Sequence, residues 1–146
     1  MKMTIETPSV KDYVEITEVW EASVRATHTF LTEEDIQYYK PLILKEYLKA
    51  VTLFCTRDQN EITGFLGLDD DKIEMLFIRP DYRGKGVGKA LLDFAVTEKK
   101  ARKVDVNEQN EQAVGFYEYL GFKTVKREPL DSNGKPFPIL SMELQK

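Results

Sequence analysis

The fold is decided by residues 76 to 89, which read Leu76-Phe77-Ile78-Arg79-Pro80-Asp81-Tyr82-Arg83-Gly84-Lys85-Gly86-Val87-Gly88-Lys89. The first three residues close a predicted strand, since Pro80 cannot donate to a β-ladder. A helical apolar pattern begins at Val87, so the glycines lie where the strand passes into a helix. Glycines let the backbone approach a ligand closely, and the start of a helix carries a partial positive charge. The stretch therefore predicts an anion site, most simply for a pyrophosphate, with basic side chains at Arg79, Arg83, Lys85 and Lys89. The alternative is a glycine-rich turn whose basic residues are only solvated.

Two better-known phosphate loops do not fit this stretch. A Walker loop needs a glycine five residues before its Gly-Lys pair and a hydroxyl residue directly after it. Here the pair is Gly88-Lys89, and these two positions hold Arg83 and Ala90. The dinucleotide fingerprint needs its third glycine at position 89, which is a lysine. Neither motif is present. The prediction of an anion site therefore depends only on the glycines and on the helix start that follows them.

Upstream of this turn, the pattern predicts a short strand near residues 4–6, then two helices, then three antiparallel strands. Ser9 with Asp12 forms a capping box at the start of the first helix, and Thr32 with Asp35 forms another at the second. Pro41 is expected to break or kink the second helix. The three strands are predicted at 51–56, 62–68 and 72–78.

Downstream, the helix that follows the turn leads to a short strand at 103–106. Strand, helix and strand in this order imply a right-handed crossover between two parallel strands. Asn110 is a candidate N-cap for a last helix, and Gly121 is its stop signal. The end of the chain is expected to be a hairpin, with strands at 122–127 and 139–144. The predicted fold is α/β (α+β type): a mixed sheet of about six to seven strands, mostly antiparallel with one parallel central pair, and about four helices.

Composition narrows the functional classes. The chain has 146 residues, predicted to form one domain over 1–146, with 21 Lys and Arg against 25 Asp and Glu, a net charge of −4. This acidic balance argues against a nucleic-acid or membrane-surface partner, because such affinity needs clustered basic residues. The one cysteine, Cys55, excludes an intramolecular disulfide and a cysteine-based zinc cage, and no metal is expected. No signal peptide and no apolar stretch near ~20 residues is visible, so we expect a cytoplasmic protein.

Two motifs in sequence closely resemble the signatures of the GNAT family of acetyl-CoA-dependent N-acetyltransferases. The family's core pattern is Gln or Arg, two residues, Gly, one residue, then Gly or Ala, and Arg83, Gly86 and Gly88 meet it. The second signature runs through Asn110, Ala113, Phe116, Tyr117, Leu120, Gly121 and Phe122. Residues 23–28 and 107–117 look like the YjaB-type bacterial branch of that family.

The resemblance implies where acetyl-CoA binds. In the family, the third central strand and its parallel neighbour splay apart, and the pantetheine arm lies between them. The backbone of residues 76–78 is expected to bond that arm, the amides of residues 84–89 to hold the pyrophosphate, and Asn110 to contact the cofactor near the pantetheine. The cofactor-binding residues so implied are Leu76, Phe77, Ile78, Arg83, Gly84, Lys85, Gly86, Val87, Gly88, Lys89 and Asn110.

The resemblance also implies that Tyr117 is the acid that protonates the sulfur of CoA. It follows Asn110 by seven residues, two turns along the same helix face. Tyr119 comes two residues later and is expected to point elsewhere.

The attacking amine must lose a proton, and three side chains are candidates for the base. Glu74 is the first, because strand alternation predicts that it shares a face with Leu76 and Ile78. Asp105, on the parallel strand, is the second. His28, the one histidine of the chain, can also serve as a neutral imidazole base or have only a structural role.

Cys55 lies in an apolar strand without a neighbouring base, so an inert thiol and direct attack in a ternary complex are expected. The resemblance implies that the acceptor is a primary amine, either a small molecule or a protein lysine, and the acidic run at 69–71 favours a cationic one. Two alternatives remain: a noncatalytic acyl-CoA-binding sensor, and a self-associating structural domain with a vestigial turn. The terminal hairpin offers a way for two copies to pair as a homodimer, and the sequence leaves the oligomeric state open.

Overall fold

A computed structural model describes residues 4–145 of the chain. Within that range one mixed sheet contains seven strands: β1 (Ile5–Glu6), β2 (Thr52–Asp58), β3 (Glu61–Asp69), β4 (Lys72–Ile78), β5 (Lys103–Asn107), β6 (Phe122–Glu128) and β7 (Ile139–Leu144). Four α-helices accompany it: α1 (Tyr13–Thr27), α2 (Glu33–Leu42), α3 (Val87–Glu98) and α4 (Glu111–Tyr119). The strand order is β1-β2-β3-β4-β5-β7-β6, and only the β4–β5 pair is parallel. The predicted fold class is confirmed.

The helix starts follow the sequence signals. The Ser9 amide donates to the Asp12 carboxylate at 2.9 Å, before α1. At α2, the Asp35 amide donates to the Thr32 hydroxyl at 3.1 Å and the Thr32 amide donates back to the Asp35 carboxylate at 3.0 Å. The helix continues one residue past Pro41 and then widens into a π-helical turn over Ile43–Tyr47. A proline lacks an N–H and crowds the preceding turn, and a π turn is one way for a helix to absorb this.

The sheet opens in its middle, between β4 and β5. These strands pair at only two positions, Lys72 with Lys103 and Ile73 with Val104. Beyond them the strands diverge, while β5 pairs along its whole length with β7 on its other side. The terminal hairpin is therefore present, but it is β7, the last strand, that is inserted next to β5. The opening matches the splay that the family resemblance implied.

A β-bulge in β4 corrects one expectation about Glu74. Gly67 pairs with Met75 and Leu68 with Ile73, so Glu74 has no partner residue on β3. The extra residue shifts the alternation of side chains along the strand. Glu74 consequently shares a face with Met75, and the prediction that it shares a face with the apolar residues at positions 76 and 78 is wrong.

The core has two layers, one on each face of the sheet. The first lies under α3 and α4 and includes Leu66, Ile73, Leu91, Leu92 and Val104. The second lies under α1 and α2 and includes Ile16, Val19, Leu48, Phe65 and Met75. The two layers fix the helix starts that border the opening in the sheet. In the described part of the chain, no helix combines the length and the apolar character that a membrane crossing requires.

Candidate active site

A cleft of about 500 Å³ lies at the opening between β4 and β5. Its walls come from the end of α1, from β4, from the turn before α3 and from α4. Of the predicted cofactor-binding residues, all but Lys85 line it: Leu76, Phe77, Ile78, Arg83, Gly84, Gly86, Val87, Gly88, Lys89 and Asn110. Tyr117 lines it as well, so the structure brings the two sequence motifs together around one space.

The turn before α3 presents a row of free backbone donors. Gly84 and Gly86 adopt φ values of +78° and +86°, a region that favours glycine, and they wind the chain tightly into the helix. Within residues 4–145, none of the amides of residues 84–89 donates a well-formed hydrogen bond. The first that does is the amide of Ala90, which bonds the carbonyl of Gly86 at 2.9 Å. Unpaired amides at the start of a twelve-residue helix are a site that an anion fits.

The basic side chains near this turn divide into two groups. Arg79 is directed away, since its Nε donates to the Ile62 carbonyl at 2.6 Å and its Nη2 lies 3.6 Å from Glu15. Arg83 and Lys89 line the cleft, where Lys89 pairs with Asp93 at 2.8 Å. The positive charge available to an anion therefore comes from Arg83 and Lys89 rather than from Arg79.

The backbone of β4 offers hydrogen bonds to the opening at alternate residues. The Arg79 amide donates to the Thr63 carbonyl of β3 at 2.8 Å. In an antiparallel pair the residues that bond one neighbour alternate with those that face the other side. Phe77 thus directs its backbone groups to β3, whereas Leu76 and Ile78 direct theirs to the opening. Phe77 lines the cleft as well, and its ring lies against that of His28 at a centroid distance of 6.4 Å.

Tyr117 lies on α4 at the bottom of the cleft, with only 5% of its surface exposed. The rings of Phe116 and Phe122 pack against it at centroid distances of 5.4 and 5.5 Å. Burial raises the pKa of its phenol above the usual value, so the hydroxyl is protonated at neutral pH. No residue between 4 and 145 forms a hydrogen bond with this hydroxyl, which leaves it available to a ligand.

Asn110 caps α4, as predicted. Its side-chain oxygen accepts a hydrogen bond from the Ala113 amide at 3.3 Å. The NH₂ group of the same side chain has no bonded partner among the described residues, and Asn110 lines the cleft. One side chain can therefore start the helix and donate to a ligand.

A narrow gap of about 80 Å³ shares His28 and Tyr117 with the cleft, and Glu74 and Asp105 line it as well. On the far face a second cavity of about 610 Å³ is lined again by Glu74 and Asp105. The ammonium of Lys72 lies between these carboxylates, 3.4 Å from Glu74 and 2.5 Å from Asp105. The gap therefore has an acidic wall and shares lining residues with both larger spaces.

His28 borders both the cleft and the gap. Its Nδ1 atom lies 2.8 Å from the hydroxyl of Thr27. Burial lowers the pKa of His28 to about 4, so the imidazole is neutral at physiological pH. The sequence pointed to this residue as the one histidine of the chain, placed between the first two helices where the family shapes its acceptor pocket, and no local pattern indicated that it reaches the gap.

The loop between β6 and β7 closes one side of the second cavity, a feature that the sequence did not reveal. The Asp131 carboxylate accepts hydrogen bonds from the Tyr39 hydroxyl and, at 2.9 Å each, from the amides of Asn133 and Lys135. Asn133 in turn donates to the Tyr47 hydroxyl at 2.7 Å. The loop is therefore tied to α2 and to the π-helical turn by polar side chains far apart in sequence.

Cys55 takes no part in these cavities. It is fully buried on β2, and it lines neither the cleft, nor the gap, nor the second cavity. Burial raises the pKa of its thiol to about 11, which keeps the nucleophilic thiolate scarce at neutral pH.

Comparison with known proteins agrees with this geometry. Residues 20–145 match the family profile described as the acetyltransferase (GNAT) domain. The chain is 40% identical over 124 residues to peptidyl-lysine N-acetyltransferase YjaB of Salmonella typhimurium, which covers 85% of this chain and 86% of that protein. It is 38% identical over 128 residues to the protein of the same name from Escherichia coli, covering 88% and 87% of the two chains. The solution structure of apo-form YjaB from Escherichia coli superimposes with a TM-score of 0.88 at 36% identity, covering 98% and 97% of the chains.

Proposed function

The chain belongs to the GNAT family and is an N-acetyltransferase, and from this premise we propose that it moves the acetyl group of acetyl-CoA to the side-chain amine of a protein lysine. The observation that carries the proposal is the row of unpaired amides at residues 84–89, which faces a cleft that ends at Tyr117. The name of the relatives, peptidyl-lysine N-acetyltransferase, supports lysine over a small-molecule amine as the acceptor.

The residues of the cleft fit acetyl-CoA. The amides at 84–89 would hold the diphosphate, with Arg83 and Lys89 adding positive charge. The backbone groups of Leu76 and Ile78 would bond the pantetheine arm, and the free NH₂ of Asn110 would donate to it. When bound, acetyl-CoA supplies an acetyl group activated as a thioester. Donors that are fixed before the reaction stabilise developing negative charge without reorganising.

Tyr117 is proposed as the general acid that gives a proton to the departing sulfur. Its raised pKa keeps the phenol protonated in the resting enzyme, and its hydroxyl has no competing partner among the described residues. Its ring is held by the packing of two phenylalanines, so the hydroxyl has a defined direction.

Glu74 is proposed as the carboxylate that receives the proton of the attacking amine through water. A lysine amine with a pKa of about 10.4 is neutral roughly once in 2,500 molecules at pH 7, a cost of about 4.6 kcal/mol. Together with Asp105, Glu74 forms an acidic wall, and a carboxylate there that takes up the proton through water offsets part of this cost. Asp105 is held by Lys72 and by a 3.0 Å hydrogen bond from Ser141, and Glu74 has the looser contact with Lys72. Glu74 is therefore the better candidate for proton transfer.

Direct attack in a ternary complex is proposed rather than transfer through the enzyme. A relay through cysteine would need Cys55, whose thiol is buried outside the three cavities and has a raised pKa. The gap through the sheet offers a route by which an amine from the second cavity meets a thioester in the cleft.

Release of thiol from acetyl-CoA, measured with lysine-containing peptides, tests the proposal. We expect Tyr117→Phe to lower kcat by at least about 100-fold, the usual scale of general acid catalysis, while calorimetry finds unchanged CoA binding. Tyr119→Phe is the matched control, because Tyr119 is 88% exposed and outside the cleft.

Three outcomes would contradict parts of the proposal. Full activity of Tyr117→Phe would remove the acid role. Binding of CoA without thiol release for any amine would favour the acyl-CoA-binding sensor instead. A protein that gives no heat with CoA at all would overturn the assignment of the cleft.

A further inference from the structure

Two hydrogen bonds fix the position of the proton on the His28 ring. The hydroxyl of Thr27 lies 2.8 Å from the backbone carbonyl of Ser23 and 2.8 Å from Nδ1 of His28. A carbonyl can only accept, so the single hydroxyl proton of Thr27 is used on Ser23. Toward His28 the same oxygen can therefore only accept, and Nδ1 must carry the ring proton.

The other ring nitrogen, Nε2, is then an unprotonated acceptor. Within residues 4–145 Nε2 has no hydrogen-bond partner. Every side-chain nitrogen or oxygen in that range that solvent cannot reach does have a partner, so Nε2 is an atom that solvent can reach. His28 lines the cleft and the gap, and since Nδ1 is engaged with Thr27, Nε2 is the ring nitrogen left to meet a ligand there. The neutral ring is held between Phe30 and Phe77, at centroid distances of 5.3 and 6.4 Å.

The lone pair of Nε2 needs a hydrogen-bond donor as its partner. The charged and titratable groups around the same space are the carboxylates of Glu74 and Asp105, the phenol of Tyr117 and, in the wider cleft, Tyr82 with the cations Arg83 and Lys89. A lone pair at this point needs a ligand that brings an N–H or O–H group. The reacting carbon of the thioester bears only acceptor atoms, and the Tyr117 phenol is assigned to the sulfur, so the acceptor amine is the group at the reacting centre that brings such a donor.

We propose that Nε2 of His28 accepts a hydrogen bond from the attacking amine and so orients the nitrogen lone pair toward the acetyl carbon. The inference rests on the proposed function and specifies which side chain positions its substrate. A neutral primary amine has two N–H bonds, one of which can be held by His28 during attack.

The protons balance without a transfer to His28. Before attack, the ammonium group loses one proton through water to Glu74, which passes it on to solvent. As the N–C bond forms and the C–S bond breaks, the nitrogen loses a second proton through water to Glu74, and the sulfur takes one from Tyr117. The proton gathered by Glu74 goes to solvent, and Tyr117 regains its own, so one proton is released per turnover overall.

The position of the ring proton can be measured directly on the unmodified enzyme. Long-range ¹H–¹⁵N NMR of a tag-free protein detects one imidazole, because the chain has one histidine. We expect a protonated Nδ1 and an unprotonated Nε2 between pH 5 and 8, in the wild type and in Thr27→Ser, which keeps the hydroxyl. A proton on Nε2 in the wild type would overturn the inference.

Two substitutions at His28 separate its acceptor from its packing. The amide oxygen of His28→Gln can reach the position of Nε2, whereas His28→Asn can replace only the Nδ1 end. We expect kcat/KM for a lysine peptide to fall about tenfold in His28→Asn and to stay within about twofold in His28→Gln, with the KM for acetyl-CoA unchanged in both.

The outcomes separate this inference from the proposed function. Equal losses in the two variants, or none in His28→Asn, would overturn the role of His28 while the wild type remains an acetyltransferase for lysine. A wild type that acetylates no amine would overturn the proposed function itself, and the NMR measurement would still report the tautomer.

Discussion

The burial of His28 predicts a loss of stability when the pH falls from 7.5 to 5. Burial holds the pKa of His28 at about 4 in the folded protein, against about 6.5 for a histidine in an unfolded chain. Between these values the unfolded state binds the proton first, so the free energy of unfolding decreases as the pH decreases. At pH 5, which is 1.5 units below the unfolded pKa, the loss is about 2 kcal/mol, at about 1.4 kcal/mol per unit.

Urea unfolding of the wild type and of His28→Gln at pH 7.5 and pH 5 measures this contribution. No other histidine titrates in this window, and carboxylates such as Glu21, whose hydrogen bonds to Lys40 and Arg25 lower its pKa, titrate below it. We expect the wild type to lose about 2 kcal/mol between the two pH values and the variant to lose almost none. Equal losses in both proteins, or a wild type insensitive to pH, would refute the reasoning from burial.

Three further changes probe the packing around the site. A Cβ at Gly64 would lie 2.8 and 3.0 Å from side chains of β4 and α3, so Gly64→Ala should lower the free energy of unfolding by about 1–3 kcal/mol in urea titrations. The hydroxyls of Thr56 and Thr63 share a fully buried 2.7 Å hydrogen bond. Thr56→Val should therefore cost about 1–3 kcal/mol, and a second substitution, Thr63→Val, should recover part of it. Asp131→Ala removes the acceptor of three hydrogen bonds, and hydrogen exchange in the loop between β6 and β7 should quicken by about 30-fold.

Each of these changes has a matched control and a contrary result. A Cβ at Gly115 on α4 would have no atom within 4 Å, so Gly115→Ala, the control, should leave stability unchanged or raise it. If Gly64→Ala were as stable as the wild type, β3 and α3 would not be in close contact. Strictly additive losses for the two threonines would mean that their hydroxyls are independent. Ser132→Ala, in the same loop, should leave hydrogen exchange unchanged. If Asp131→Ala exchanged at the rate of the wild type, the hydrogen bonds of Asp131 would not be what holds the loop to α2.

The local signals in the sequence were sufficient for most of the fold. Capping residues such as Thr32 and Asn110 accept hydrogen bonds from amides three residues away, so both partners lie in one short stretch of sequence. The predicted strand bounds agree with the structure to within two residues, and β4 and β7 begin and end at the predicted positions. The turn before α3 was also predictable, because its backbone has positive φ at Gly84 and Gly86 and glycine is the residue that adopts this conformation.

What the sequence could not provide depends on pairing between distant segments. The bulge at Glu74 arises from the register of β4 against β3, and no residue within β4 predicts that register. Arg79 was counted with the anion site, but its partners are the Ile62 carbonyl and Glu15, residues distant in sequence. The tie between Asp131 and Tyr39 joins residues 92 positions apart, and a single sequence has no signal for such a contact.

Because β4 and β5 pair over so short a length, a co-substrate bound between them would also help to hold the two parts of the sheet together. Two residue pairs join a four-strand half to a three-strand half, and a ligand arm lying against Leu76 would add bonds across that seam. A ligand that binds only the folded form at 100 times its Kd adds about 2.7 kcal/mol to the free energy of unfolding. The free energy of unfolding would then rise and fall with the concentration of acetyl-CoA around the protein.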